Sequence, residues 1–190
     1  MADVVRVKEF VAREPDIRDS AQRNSILRRL IEGHGRRRFA GFSITSLAAG
    51  RTLWRQNATI QNVYFPLTSV ISIIVSTSAG EVMEIGTVGN EGVVGVPISI
   101  DVDRAIGRAV VQFPGEAIVT SAARFRDLAI GDPAVALIIN RYTYVFVRLV
   151  VQTGLCNRFH SADERCARWL LGAHDRVGTD EFAFTQDFLH

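Results

Sequence analysis

The hydrophobic pattern of this chain changes period once, at Asp132-Pro133, and that change limits what it can fold into. Upstream, short runs rich in Val, Ile, Thr and Phe alternate with turn residues. The runs are Phe42–Leu47, Thr52–Trp54, Asn62–Phe65, Val70–Ser76, Val82–Val88, Gly92–Val96, Arg108–Phe113 and Glu116–Thr120. Gly50-Arg51, Pro66, Ala79-Gly80, Gly89-Asn90 and Pro114-Gly115 divide them and supply turn geometry. About eight strands at intervals near ten residues predict a sandwich, barrel or jelly roll and exclude a βαβ fold. Ala79-Gly80-Glu81 reads as a hairpin tip, and Arg124–Ala129 as a short helix.

Downstream, Asp132 is a good N-cap, Pro133 suits the first helical position, and no Gly or Pro follows until Gly154. Val135, Ile138, Tyr142, Val145, Leu149, Gln152 and Cys156 fall at alternating spacings of three and four, a heptad seam with one polar place. A second stripe, Ile139, Phe146, Val150 and Thr153, runs beside it. A helix from 133 to about 158 would be about 39 Å long. It could lie buried in a monomer, but the heptad and the two stripes favour a parallel homodimer, one stripe on the strand domain and the other on a second chain. Arg141 and Arg148 interrupt this apolar stretch, and charges at mid-bilayer depth argue against a membrane span.

Residues 1–38 are charged and mixed. Asn24-Ser-Ile-Leu-Arg-Arg-Leu-Ile31 predicts a short helix capped by Asn24 or Ser25. The charged N-terminus has no apolar core of the signal-peptide kind. Arg36-Arg37-Arg38 reads first as a solvated face and second as an anion or nucleic-acid contact. With 22 basic against 20 acidic residues the formal charge is +2, so no polybasic tail steers the chain to nucleic acid. Hydrophobic residues at 47% allow a sizeable core. Two cysteines, Cys156 and Cys166, are too few for a disulfide scaffold and fit a reducing cytoplasm.

Catalytic patterns are missing. His34, His160, His174 and His190 form neither HxH nor HExxH, so a metal-dependent jelly-roll enzyme or a zincin lacks support, and no metal site is expected. There is no GxSxG, P-loop or GxGxxG, and two cysteines cannot hold an iron–sulfur cluster. The expectation is a protein that is not an enzyme. One stretch could hold a ligand: Val88-Gly89-Asn90-Glu91-Gly92-Val93-Val94-Gly95-Val96-Pro97, then Arg104 and Arg108. Its glycines could turn backbone amides toward an anion that an arginine neutralises, or could serve only tight turns beside surface arginines.

Ser161-Ala-Asp-Glu164 matches a capping box that opens a second helix ending near Gly178. Thr185-Gln-Asp187 reads as the first turn of another helix, so the chain is expected to be truncated there.

Taken together, Asn62-Val-Tyr-Phe-Pro66 with Ser69-Val-Ile-Ser72, Gly89-Asn-Glu-Gly-Val-Val-Gly95, Cys156-Asn-Arg-Phe-His-Ser161 with Glu164-Arg165 and Ala167-Arg-Trp-Leu-Leu171, and His174-Asp-Arg-Val-Gly178 with Phe184-Thr-Gln-Asp-Phe-Leu189 resemble the Crp/Fnr family of bacterial transcription regulators over about residues 24–189. The resemblance implies a mainly β fold with α: a cyclic-nucleotide-binding-like jelly roll with its N-terminal helix (1–131), a long dimerisation helix (132–158), and a hinge at Phe159, His160 and Ser161 opening a truncated winged helix (159–190). It implies a cytoplasmic homodimer, off the membrane, that reads DNA only where a full-length chain carries the helix-turn-helix. It places the effector pocket at Gly92, Gly95, Val96, Pro97, Arg104, Arg108, Val150 and Val151.

Three departures from the family pattern stand out. Val96 replaces the glutamate that grips the ribose of cyclic AMP. Arg104-Ala105 and Arg108-Ala109 lack the hydroxyl of the family's phosphate-binding pair. Val150 and Val151 stand where the long helix would offer hydroxyls to the base. The expected effector is therefore an unidentified small molecule and not tightly held cyclic AMP, the alternative is a vestigial pocket, and no cofactor is expected. The competing reading is a stand-alone ligand-binding or interaction module that pairs with a full-length relative.

Overall fold

The computed structural model describes residues 14–33 and 39–177. His34, Arg36-Arg37-Arg38, His190 and the 184–189 segment lie outside these residues. Two short helices open the described chain, α1 (Glu14–Ala21) and α2 (Ser25–Gly33). Asn24 caps α2: its Oδ1 accepts from the amides of Ile26 at 3.0 Å and Leu27 at 3.1 Å. The helix turns Ile26, Leu27 and Leu30 into the core at the three-and-four spacing of an amphipathic helix.

Seven antiparallel strands follow: β1 (Phe42–Leu47), β2 (Thr52–Trp54), β3 (Asn62–Pro66), β4 (Val70–Ser76), β5 (Val82–Val88), β6 (Arg108–Phe113) and β7 (Gly115–Ser121). They form two sheets, ordered β1-β7-β3 and β2-β6-β4-β5. Pro66 ends β3 at a sheet edge, where its missing amide costs no ladder bond. The β4–β5 hairpin turns through Gly80 at φ +88°. Phe65 of β3 and Phe125, from the helix that follows the strands, meet edge-on at 5.9 Å in a core that includes Leu47, Ile71 and Ile118, all essentially buried.

The expected strand at Gly92–Val96 does not form. Val94 makes a single bridge to Tyr64, Gly95 turns to φ +112°, and Pro97 begins a 3-10 helix over Val96–Ile100. A left-handed residue followed by proline ends strand pairing within two residues.

After β7, α3 (Ala122–Gly131) leads to α4 (Pro133–Phe159), which starts on Asp132: the side chain accepts from the amides of Ala134 at 2.9 Å and Val135 at 3.5 Å. Val135, Ile139, Tyr142, Thr153 and Cys156 are its buried residues, with Phe146 packed against the same core. The opposite face, with Leu137, Tyr144, Val147, Val151 and Leu155, is exposed. Of the expected dimer seam, then, Val135, Tyr142 and Cys156 lie inside the protomer, Ile138 and Leu149 are half-buried, and Val145 and Gln152 are exposed.

His160 closes the last turn of α4 through its amide on the Cys156 carbonyl, at 3.0 Å. Ser161 and Glu164 then bond reciprocally, the Ser161 amide reaching the carboxylate at 2.8 Å, and open α5 (Ala162–Val177). Those exposed bonds hold the Glu164 carboxyl below its ordinary range. The break is so short that α5 folds back onto the outer face of the second sheet, where Trp169, Ala173 and Val177 pack with Val70 and Phe113. Cys156 and Cys166 sit on separate helices as free thiols.

Candidate functional site

The second sheet, the 88–97 loop and α4 enclose a cavity of about 70 Å³. Ile73 and Ile85 form its sheet wall, Val93 to Pro97 its loop wall, Ala105 to Gly107 a third side, and Phe146 of α4 the fourth. Trp54, Ile60 and Val88 complete it, and no lining residue carries a charge.

The loop's backbone is already bonded within the protein. The Gly92 amide donates to the Gly89 carbonyl at 3.1 Å, and Val94 and Tyr64 exchange amide–carbonyl bonds at 2.8 and 2.9 Å. The Gly89 amide meets an anion, but the chain supplies it: Glu91 accepts from Gly89 at 3.2 Å and from Arg176 Nε of α5 at 2.9 Å. The loop also presses on α4. A Cβ at Gly92 would fall 2.6 Å from the Tyr142 ring, so only glycine fits. Burial, and then the nearby Glu91 charge, push the Tyr142 hydroxyl above its ordinary range and keep it neutral, while a bond from the Val93 backbone amide to the phenol oxygen offsets this only in part. Tyr142 in turn stacks on Phe146, ring centroids 6.3 Å apart.

Of the residues the sequence placed in the pocket, Gly95, Val96 and Pro97 line the cavity. Gly92 lies against Tyr142. Arg104 is exposed and donates to the Asn57 carbonyl at 3.0 Å, and Arg108 is exposed at the start of β6. Val150 is half-buried and Val151 exposed, and neither lines the cavity. The helical contribution comes instead from Phe146, one turn earlier and on the second stripe. Trp54, Ile60, Ile73, Ile85 and Ala105 converge there without any local mark in the sequence, being residues of ordinary strands and loops.

A second, polar cavity of about 290 Å³ lies under α5, between Glu84, Gln112, Thr153, Arg168 and Arg176. Arg168 donates to the Thr153 hydroxyl at 3.2 Å and Gln112 to the Glu84 carboxylate at 3.2 Å. Burial raises the Glu84 pKa, and Ser72, Arg168, Arg176 and Gln112 only partly offset this. Because the folded state holds the proton more tightly than the unfolded chain, the stability this group contributes is present below the ordinary carboxyl pKa. It is lost as pH rises through the folded value. Glu84→Gln is therefore expected to raise the thermal midpoint at pH 7, with the gain shrinking as pH falls through the raised folded value and gone well below 4.5, the ordinary carboxyl value. Calorimetric melts of both proteins at the two pH values check this; a gain that persists unchanged at low pH would contradict the assigned cause.

Among the described residues no group of three or more His, Cys, Asp or Glu could hold a metal ion.

No family model and no curated protein matches the sequence. Solved structures do match the fold. The c-di-GMP-responsive global regulator CLP of Xanthomonas campestris aligns with a TM-score of 0.60 at 16% identity, over 75% of this chain and 72% of that one. FixK2 of Bradyrhizobium japonicum aligns at 0.66 and 15%, over 78% and 75%. A protein described as a transcriptional regulator of the Crp/Fnr family, from Eubacterium rectale, aligns at 0.65 and 14%, over 79% and 70%. The fold is thus the cyclic-nucleotide-binding-like one: antiparallel sheets followed by long helices.

Proposed function

We propose that this chain is the effector-sensing and dimerising part of a Crp/Fnr-type transcription regulator, cytoplasmic, whose DNA contact is made by a winged helix that opens with α5. One observation carries the reading: the 88–97 loop touches three things at once. It walls the apolar cavity, seats Gly92 on Tyr142 of α4, and ties Glu91 to Arg176 of α5. A change in the cavity therefore has a short packed route to the helix that would lead the DNA-reading unit.

In this reading two copies pair in parallel along the outer face of α4, through Leu137, Tyr144, Val147, Val151 and Leu155. Val145 and Gln152 flank the seam, and Val135, Tyr142 and Cys156 support it from inside the protomer. By length and composition α4 could cross a membrane. A protein partner suits it better than lipid, because one face is built into the roll's core and Arg141 and Arg148 stand exposed on the helix.

The test is immunoprecipitation of cross-linked DNA with the natural full-length product. Enrichment of discrete promoter fragments is expected. A dimer that enriches no DNA would favour the stand-alone module that pairs with a relative.

Cyclic AMP is not the effector in this reading. The ribose-gripping acid is Val96, no arginine lines the cavity, and α4 offers no hydroxyl there. Two missing hydrogen bonds to charged partners, at about 1.5–3 kcal/mol each, and one to the neutral base, at about 0.5–1.5 kcal/mol, weaken binding by at least roughly a few hundredfold. Titration calorimetry with cyclic AMP is expected to show no saturable heat. Micromolar binding that Arg104→Ala abolishes would defeat the prediction.

A further inference from the structure

We propose that the cavity between the second sheet and α4 takes the alkyl end of a small uncharged molecule. The proposal rests on the sensor reading above and names the chemical class of what that site holds.

Chemistry excludes a charged ligand first. The walls are Ile73, Ile85, Val94, Val96, Ile106 and Phe146, with glycine and proline backbone between them. A phosphate or carboxylate entering would shed water and find no cation in the lining: Arg104 is bonded to the Asn57 carbonyl and Arg108 is exposed at the surface. The loop amides of Gly89, Gly92 and Val94, which could have met an anion, are already engaged. An alkyl group needs none of these partners.

Size then narrows the class. The cavity is about 70 Å³, roughly half the volume of an engineered apolar cavity that holds benzene. It encloses a few carbons, and the remainder of the ligand must leave through a rim. Ile106 both lines the cavity and is 70% exposed, so it marks that rim. Gly107 fixes the rim in place, because a Cβ there would meet the Ile74 carbonyl at 2.7 Å. An alkyl chain seated against Phe146 would also bear on the Tyr142 ring stacked behind it and on the loop that Tyr142 supports.

The probe is 1-octanol, titrated into the full chain and followed by methyl and indole NMR, with cyclic AMP and inorganic phosphate in parallel. Saturable octanol shifts that are largest at the cavity-lining methyls, Ile60, Ile73, Ile85 and Ile106 among them, are expected, with none from cyclic AMP or phosphate. Ile73→Phe, which fills the cavity, is expected to abolish the octanol shifts while its melting curve shows an intact fold. Ile85→Phe serves the same purpose should Ile73→Phe not fold. Absence of saturable shifts up to the solubility limit, shifts that survive a filled cavity, or preferential shifts from cyclic AMP would overturn the proposal. The Trp169 indole reports separately on the sensor reading. If octanol binds and this peak stays still, the ligand class stands and the coupling to α5 fails; if octanol does not bind while promoter enrichment persists, only the ligand class fails.

Discussion

Glutamate at both Tyr144 and Val151 is expected to leave a folded monomer where the unaltered chain sediments as a dimer at micromolar concentration. The two positions are seven residues apart on the outer face of α4, 66% and 57% exposed in the protomer. Substituting them leaves the roll's core untouched, so the melting curve of the monomer should stay close to that of the parent. In a parallel pair each position faces its own copy, and four carboxylates would meet in an apolar seam. Desolvating like charges without partners costs several kcal/mol, so the dissociation constant should rise by a thousandfold or more. Sedimentation equilibrium reads the result directly. An undiminished dimer would remove the outer face of α4 from the assembly. Leu149 is a poorer test: its side chain lies 3.4 Å from where Gly86 would carry a Cβ, so a charge there would disturb the protomer itself.

Why part of the expected seam is buried in the protomer is a matter of helical arithmetic. Val135, Tyr142, Leu149 and Cys156 recur every seven residues and belong to two overlapping seams. One adds Ile138, Val145 and Gln152; the other adds Ile139, Phe146 and Thr153. Each set is mostly apolar with one polar member, and they differ by a single residue, about 100° around the helix. Composition cannot choose between them. The protomer does, because Phe146 packs over Gly86 of β5 and Ile139 is wholly buried in the core. The exposed apolar face then lies on the far side, where Leu137, Tyr144 and Val151 also repeat at seven.

Strand limits were readable because turn chemistry and β-branched runs are local signals. Seven of the eight strands expected from turns and runs keep their limits to within a residue, and the N-cap at Asp132 falls where Asp-Pro places it. The 88–97 loop was only half legible. Its glycines announced unusual backbone, but not that Glu91 would fill the anion position, since that depends on Arg176 arriving from 85 residues away. The cavity was least legible, being made by side chains from separate strands, two loops and a helix.

Asn24→Ala is expected to lower the thermal midpoint by about 10 °C, although the residue looks like an ordinary helix cap. Its side chain is fully buried and makes four bonds. Two are the cap itself; the other two donate from Nδ2 to the carbonyls of Pro66 and Gly92, each at 2.9 Å. Losing a cap costs about 1 kcal/mol. Stranding two buried carbonyls costs about 1–3 kcal/mol each. Because the four bonds share one group, the losses are not additive, and about 3–5 kcal/mol is the expected total. For a chain of this length each kcal/mol is about 2–4 °C. Asn24→Ser keeps the cap but cannot reach the carbonyls, so it should recover only the smaller share; full recovery by serine, or an alanine variant melting within about 2 °C of the parent, would show that the long-range pair contributes little. Since the Gly92 carbonyl belongs to the loop that walls the cavity and presses on Tyr142, the same variant should also speed amide exchange at Gly92 and Val93, joining the stability of α2 to the order of the proposed sensing loop.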